Sequence, residues 1–320
     1  MAEIGKDISK AKKLLEQGEL VAIPTETVYG LAGNALNVSA IAKIFEAKKR
    51  PHFDPLIVHV PDFNAVDSFA SEIPEKAKKL AQEFWPGPLT LLLKRKEIIP
   101  DLVTSGLETV GIRCPNHELT LNLLKELSFP LAAPSANPFG YISPTKASHV
   151  NDQLSDKIKY ILDGGECEVG IESTIVGFEN DKTIIYRLGG LSVEKIESMI
   201  GEVEIQLNSS SNPKAPGQSK SHYAPTKNLL VGNLDSLAKA HHGKKIGILS
   251  FKKIIPDFPI TNQKQLSPTG DLMIAAQNLF AYLRELDQLD IEFIIAEEVP
   301  NVGLGRAIND RLQRASVRIE

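Results

Sequence analysis

Cysteine is nearly absent from this chain, with Cys114 and Cys167 the two examples in 320 residues. That excludes a disulfide framework. With no C-x-x-C pair and too few partner ligands, it argues against a zinc site as well. A reducing compartment suits such a chain, and a cytoplasmic location is expected. Long apolar runs are also missing. Stretches such as LTLLL at 89–93 fall far short of the ~20 residues a bilayer needs. The opening MAEIGKDISKAKKLLEQGE is charged and amphipathic, without the apolar centre of a signal peptide. Neither a membrane span nor secretion is expected. There is no excess of positive charge, the formal net charge being -4. A chain that grips a nucleic-acid backbone is normally basic, so any RNA contact is expected to be local or weak. The common nucleotide signatures are missing too. There is no G-x-x-x-x-G-K-[ST], and the G-L-G at 303–305 has Ile308 where a dinucleotide fingerprint needs its third glycine. No H-E-x-x-H or G-x-S-x-G occurs, and the seven histidines show no metal spacing.

What is present is an ordinary globular mixture, 42% hydrophobic and 24% charged, in a chain long enough for two domains. Residues 207–228, LNSSSNPKAPGQSKSHYAPTKN, are rich in Ser, Asn, Pro and Lys and carry no apolar period. They divide the chain into an N-terminal domain at 1–206, a linker at 207–228 and a C-terminal domain at 229–320. Before the linker, apolar strands at 19–24, 55–60, 89–94, 110–115, 130–135, 159–164, 173–178 and 183–188 alternate with helical stretches at 9–17, 38–49, 74–85 and 117–127. That alternation predicts an α/β layered domain. After it, strands at 228–232, 244–250 and 292–298 and helices at 271–289 and 305–316 suggest a small Rossmann-like unit. Arg311, Arg314 and Arg318 fall on neighbouring turns of the last helix. They predict a solvated face, with a partner surface the second reading.

Four segments put polar residues at the ends of apolar strands: IPTETVYGLAGNA (23–35), AKKRPHFDPLIVHV (47–60), GIRCPNH (111–117) with AAPSANPFGYISPT (132–145), and GIESTIVGF (170–178) followed by YRLGG (186–190). Open α/β sheets bind ligands at such places. These fragments, in this order, resemble the YrdC-like domain of the threonylcarbamoyl-AMP synthases. PGQSKSHYAP (216–225) and GLGRAINDRL (303–312) resemble the long, two-domain form of that family, so the resemblance covers nearly the whole chain. It implies an N-terminal YrdC-like twisted mixed sheet with flanking helices, joined to the Rossmann-like C-terminal domain.

The activity it implies joins L-threonine and bicarbonate as a carbamate, which attacks the α-phosphate of ATP and releases pyrophosphate. A carbamate is already an anionic nucleophile. Catalysis then rests on positioning and on neutralising phosphate charge, not on an activated serine or cysteine. Arg113, at the end of an apolar strand, is the expected partner of the threonine carboxylate, because guanidinium binds carboxylates with two directed prongs. The resemblance adds Thr27, His59, Ala133 and Ser173 to the threonine pocket. It sets Lys48 and Arg50 against the phosphates as the catalytic pair, and Asp54, Thr109, Ser135, Asn137, Ser143 and Arg187 around ATP. It also implies that the linker folds over the ligand site, with Tyr223 touching the nucleotide and His222 beside it. Mg2+ is expected with ATP and no protein metal cage. A separate transferase that modifies tRNA would take the product.

Three departures from the family pattern stand out. Asp54 replaces a frequent Asn, Lys49 a frequent Gly and Leu188 a frequent Pro. Two rival readings remain at this point. An RNA-binding module without synthase activity is disfavoured by the charge. A carbamoyl-transferring maturation factor is disfavoured by the length and the cysteine content.

Overall fold

The computed structural model of the chain describes residues 1–207, 214–218, 222–256 and 258–317. Among these, the strands of the first unit are, in chain order, β1 (Glu3–Gly5), β2 (Val21–Ile23), β3 (Gly30–Asn34), β4 (Ile57–His59), β5 (Ala70–Glu72), β6 (Leu89–Arg95), β7 (Thr109–Arg113), β8 (Leu131–Ala132), β9 (Tyr160–Leu162), β10 (Thr174–Glu179), β11 (Lys182–Arg187) and β12 (Glu204–Ile205). They make one mixed sheet in the order β1-β9-β2-β3-β8-β4-β7-β6-β10-β11-β12, with β5 paired on β6. The second unit holds β13 (Asn228–Val231), β14 (Ile246–Ser250), β15 (Gln263–Gln265) and β16 (Phe293–Ala296). Their order is β13-β16-β14-β15, and every pair is parallel. Parallel neighbours need crossover connections, and helices Leu234–Ala240 and Leu272–Asp287 supply two of them. This is the mixed-sheet domain plus Rossmann-like domain that the sequence predicts.

Strand register places the site. β4 and β7 run parallel, with Ile57 opposite Gly111 and His59 opposite Arg113. Both strands therefore deliver their last side chain to the same edge of the sheet. Beside them β8 runs antiparallel, with Ala132 opposite Val58. The chain continues from β8 into Ala133, whose amide donates to the Ile57 carbonyl at 3.0 Å.

Helix Val38–Lys48 places two further residues. Asn37 caps it by accepting from the Ser39 and Ala40 amides, and Ala40, Ile41, Ile44 and Phe45 bury one face. It ends at Lys49, which is left-handed with φ 52. A Cβ is disfavoured in that conformation, which explains why glycine suits this position. The turn sends Arg50 back into the protein.

The two units share one core. Phe280, Leu283 and Leu312 of the second belong to the same buried cluster as Ile171, Leu188 and Leu191 of the first. Gly170, with φ 76, lies so close to helix Leu272–Asp287 that a Cβ would come within 2.4 Å of the Gln277 Cα. Arg284 of that helix donates to the carbonyls of Ile142 and Ser143. Asp287 accepts from the Tyr141 hydroxyl at 2.7 Å. The last helix, Gly305–Ser316, corrects the expectation of a solvated arginine face. Arg311 is 0% exposed and Arg314 9%; Arg318 lies outside the described residues. The helix packs on the first unit, and the Glu172 carboxylate and the Leu188 and Leu207 carbonyls, together with Asp310 of the helix itself, meet the buried guanidinium groups.

Candidate active site

At the shared edge of β4 and β7 lies a cavity of about 50 Å3. Thr25, Val28 and Gly30 line it from the turn into β3, Ile57, His59 and Arg113 from the two parallel strands, and Ala133, Pro134 and Ser135 from the chain after β8. Glu172 and Arg187 close a further side. Pro216, Gly217, His222 and Tyr223, from the stretch between the domains, cover it. This stretch has little apolar periodicity, yet Tyr223 is 1% exposed and His222 6%. Their burial comes from rings on both sides. His222 meets Phe139 edge-on at 5.6 Å, and Tyr223 stacks on Phe280 at 5.4 Å.

Three arginines face this space, each held differently. Arg50 donates to the carbonyls of Asp54 and Pro55 at 3.0 and 2.8 Å and pairs with the Asp54 carboxylate at 2.9 Å. Burial raises the Asp54 pKa, with Arg50 opposing. Arg187 donates to the Ser173 carbonyl and hydroxyl, both at 3.0 Å. The Ser173 hydroxyl in turn lies 2.7 Å from that of Thr90. Arg113 has the Glu26 carboxylate 2.7 Å from Nη2, yet its Nε and Nη2 make no hydrogen bond although they are buried. Buried guanidinium donors without partners are costly. A carboxylate ligand offers an acceptor to Nε and can share Nη2 with Glu26.

Lys48 lies behind the arginines and does not line the cavity. Its Nζ donates to the carbonyls of Ser135 and Asn137, both at 2.5 Å. Burial first, then the Arg50 charge, drives its pKa well below the usual lysine value. It therefore ties the end of helix Val38–Lys48 to the SANP loop. Asn137 braces the same loop, donating to the Pro138 and Tyr141 carbonyls at 2.8 Å each. The Ser143 hydroxyl donates to Glu172 at 2.6 Å. Burial, with Arg113 adding to it, pushes the His59 imidazole down to about 3, so this ring is neutral. Neither cysteine is set up as a nucleophile: burial pushes the Cys114 thiol up to about 12 and raises Cys167 also.

Of the residues expected from the sequence, Arg50, His59, Arg113, Ala133, Ser135, Arg187 and Tyr223 line the cavity. Lys48, Asp54, Asn137, Ser143 and Ser173 are buried and bonded or ion-paired to the groups around it. Thr27 stands behind Thr25, with the two hydroxyls 2.8 Å apart; Thr25 holds the wall. Thr109 is half-buried at the opposite end of β7 from Arg113. Thr25 and Glu172 lie in motifs that the sequence makes visible, beside the residues chosen there. Thr90 and Arg311 carry no local signal, since their partners are distant along the chain.

An α/β fold with a covered pocket of arginines and hydroxyls, and with both cysteines inert, defines a protein that handles anionic ligands by position and charge. Residues 13–189 match a family described as Telomere recombination, and residues 191–317 one described as Threonylcarbamoyl-AMP synthase, C-terminal domain. The threonylcarbamoyl-AMP synthases of Pyrococcus abyssi and Bacillus subtilis are each 41% identical to this chain. The first match covers 96% of this chain and 93% of the relative, the second 97% and 92%. The Schizosaccharomyces pombe threonylcarbamoyl-AMP synthase is 36% identical over 92% of this chain and 84% of its own. A crystal structure of P. abyssi Sua5 complexed with L-threonine superposes with a TM-score of 0.91 at 39% identity, covering 99% of this chain and 97% of that one. The chain belongs to the threonylcarbamoyl-AMP synthase family and is an enzyme.

Proposed function

We propose that this enzyme converts L-threonine, bicarbonate and ATP to threonylcarbamoyl-AMP and pyrophosphate, and that a separate tRNA-modifying transferase takes the product. The observation that carries the reading is the cavity wall itself. Arg113, whose Nε has no hydrogen-bond partner and whose Nη2 is ion-paired with Glu26, lines the same space as Arg50 and Arg187. A carboxylate-bearing amino acid fits the first position and phosphate groups the others. Between them a carbamate is held against an α-phosphate, and charge neutralisation does most of the work. His59 is neutral beside Arg113, so it adds no second charge there and suits the uncharged part of threonine. Ala133 allows close approach, and Thr27 and Ser173 complete the threonine side through their hydroxyl neighbours. We assign Asp54, Thr109, Ser135, Asn137 and Ser143 to the ATP side, with Lys48 acting on the phosphates through the SANP loop that it ties.

Among the described residues no group of three or more His, Cys, Asp or Glu is placed to hold a metal. Asp54 and Glu172 are each engaged by an arginine. We therefore assign the ligands of Mg2+ chiefly to the nucleotide that brings it.

The domain limits follow the sequence reading, 1–206, 207–228 and 229–320. The boundary at 206 is supported by β12, which pairs with β11 in the large sheet. We read the linker as a lid. The cavity of about 50 Å3 has room for a few waters, so Tyr223 and its neighbours must shift to admit a nucleotide and can then reclose over a labile product. No helix among the described residues is long and apolar enough to cross a membrane. A cytoplasmic site of action and at most weak RNA contact are part of the same proposal.

Calorimetry tests the two halves of the site. Arg113→Ala is expected to weaken threonine binding by about 2 kcal/mol or more, the scale of a charged hydrogen-bonded pair, with ATP binding nearly intact. Lys48→Ala, Arg50→Ala and Tyr223→Ala are expected to do the reverse. A folded Arg113→Ala protein with unchanged threonine affinity would refute the carboxylate assignment.

A further inference from the structure

Arg311 comes from the last helix of the second domain but touches the active-site wall of the first. Its Nε donates to Glu172 at 3.1 Å, its Nη2 to the Leu188 carbonyl at 2.7 Å and its Nη1 to Asp310 at 2.7 Å. The guanidinium carbon lies 5.0 Å from the centre of the Tyr223 ring. Glu172 and Tyr223 both line the cavity, one from the first domain and one from the linker. A single side chain with 0% exposure thus joins all three parts of the chain at the place where a ligand would sit.

The chemistry of Glu172 gives this contact a consequence. One carboxylate oxygen accepts from Ser143 at 2.6 Å and the other from Arg311. Arg187 is the next cation that acts on this carboxylate after Arg311. Arg187 at present donates to Ser173 and faces the cavity. With Arg311 gone, the buried carboxylate would be left with an uncompensated charge, which buried groups avoid by re-pairing. Arg187 is the partner at hand, and an ion pair with Glu172 would withdraw its charge from a ligand phosphate. Docking of the second domain does not depend on Arg311. Helix Leu272–Asp287 is already fixed by Arg284 on the Ile142 and Ser143 carbonyls and by Asp287 on Tyr141.

We propose that Arg311 is a positioning residue for the nucleotide. It holds Glu172 and the Tyr223 ring in place, so that Arg187 stays on Ser173, facing the cavity, and does not turn to Glu172. The C-terminal domain thereby completes the ATP side of the site while leaving the threonine side to the first domain. This rests on the reading that the cavity takes ATP.

Steady-state kinetics on the full chain test it, run well below the lowest melting temperature among the variants. Arg311→Lys keeps the charge but loses the three-way fork. It is expected to raise the KM for ATP about tenfold or more while leaving the KM for threonine within about threefold. Tyr141→Phe removes an interdomain hydrogen bond away from the cavity and is expected to leave both constants within about threefold. Arg311→Lys combined with Glu172→Gln is expected to bring the KM for ATP back toward the wild-type value, because no carboxylate is left to draw Arg187 from Ser173. Equal rises in both KM values, a Tyr141→Phe effect matching that of Arg311→Lys, or multiplying effects in the double variant would overturn the proposal. If Arg311→Lys alone does not fold, the double variant decides, with a KM for ATP within about threefold of wild type expected and a roughly tenfold rise contradicting. A wild-type protein that makes no product from ATP would instead sink the functional reading beneath it.

Discussion

His59 and His222 show how much of this site depends on burying groups in one protonation state. Burial, with Arg113 beside it, takes the His59 imidazole to about 3. Burial, with Arg50 and Lys48 near, holds His222 well below its usual value. In the unfolded chain both rings would take up a proton near pH 6.5. As pH falls below that value the unfolded state binds protons that the folded state refuses. The stability from neutral burial is therefore present above about pH 6.5 and is lost as the pH falls toward the folded values. Urea unfolding is expected to show stability falling by about 1.4 kcal/mol per pH unit per histidine once the pH is well below 6.5. His59→Gln should have a shallower slope by one histidine's share. A stability that stays flat from pH 7 to 5 would mean that these rings are not buried neutral.

The sequence makes His59 visible as a residue of an apolar strand, and resemblance alone marks it for function. Its neutrality is not legible, because that depends first on burial and then on the Arg113 charge brought alongside by the β4–β7 register. Arg113 was legible from its strand-end position. Glu26, its ion-pair partner, was visible in the PTET turn but unremarkable until the fold put the two together.

At the level of elements, the predicted strands and helices with strong apolar patterns are present within a few residues of their expected limits. Those with weak patterns were not legible. β3 reads GLAGN, with two glycines and no β-branched residue, so its strand character comes from pairing with β2 and β8 rather than from propensity. The linker is the larger case. Its composition predicts a chain unable to fold alone, and Ala215, His222 and Tyr223 are buried because the domains present surfaces to them, Ala215 packing in the first domain's core and Tyr223 on Phe280 of the second.

The turn at Lys49 offers a direct check on element-level reasoning. A non-glycine residue at φ 52 carries a left-handed penalty of roughly 1–2 kcal/mol, partly offset by the extra chain entropy that glycine loses on folding. Lys49→Gly is therefore expected to stabilise the enzyme by up to about 1 kcal/mol. The melting temperature should rise by a few degrees and kcat should not change, since Lys49 does not line the cavity. A lower melting temperature would show that the Lys49 side chain makes a contact worth more than the strain.

Across the whole molecule, two domains that the sequence presents as separate units work as one body. The contacts responsible join residues far apart in the chain: Arg311 and Glu172 are separated by 139 positions. No local pattern could reveal them, and an arginine on a polar helix face is ordinarily solvated. Breaking such a buried pair by removing one partner typically costs ~3–5 kcal/mol, so the C-terminal domain belongs in any account of stability as well as activity. The functional claim, however, concerns the three ligands that meet in the cavity. Pyrophosphate release with threonine, bicarbonate and ATP present, and with each omitted in turn, tests it most directly. The account predicts pyrophosphate only when all three are supplied. Conversion of ATP to ADP, or a rate that does not change when bicarbonate is left out, would contradict it.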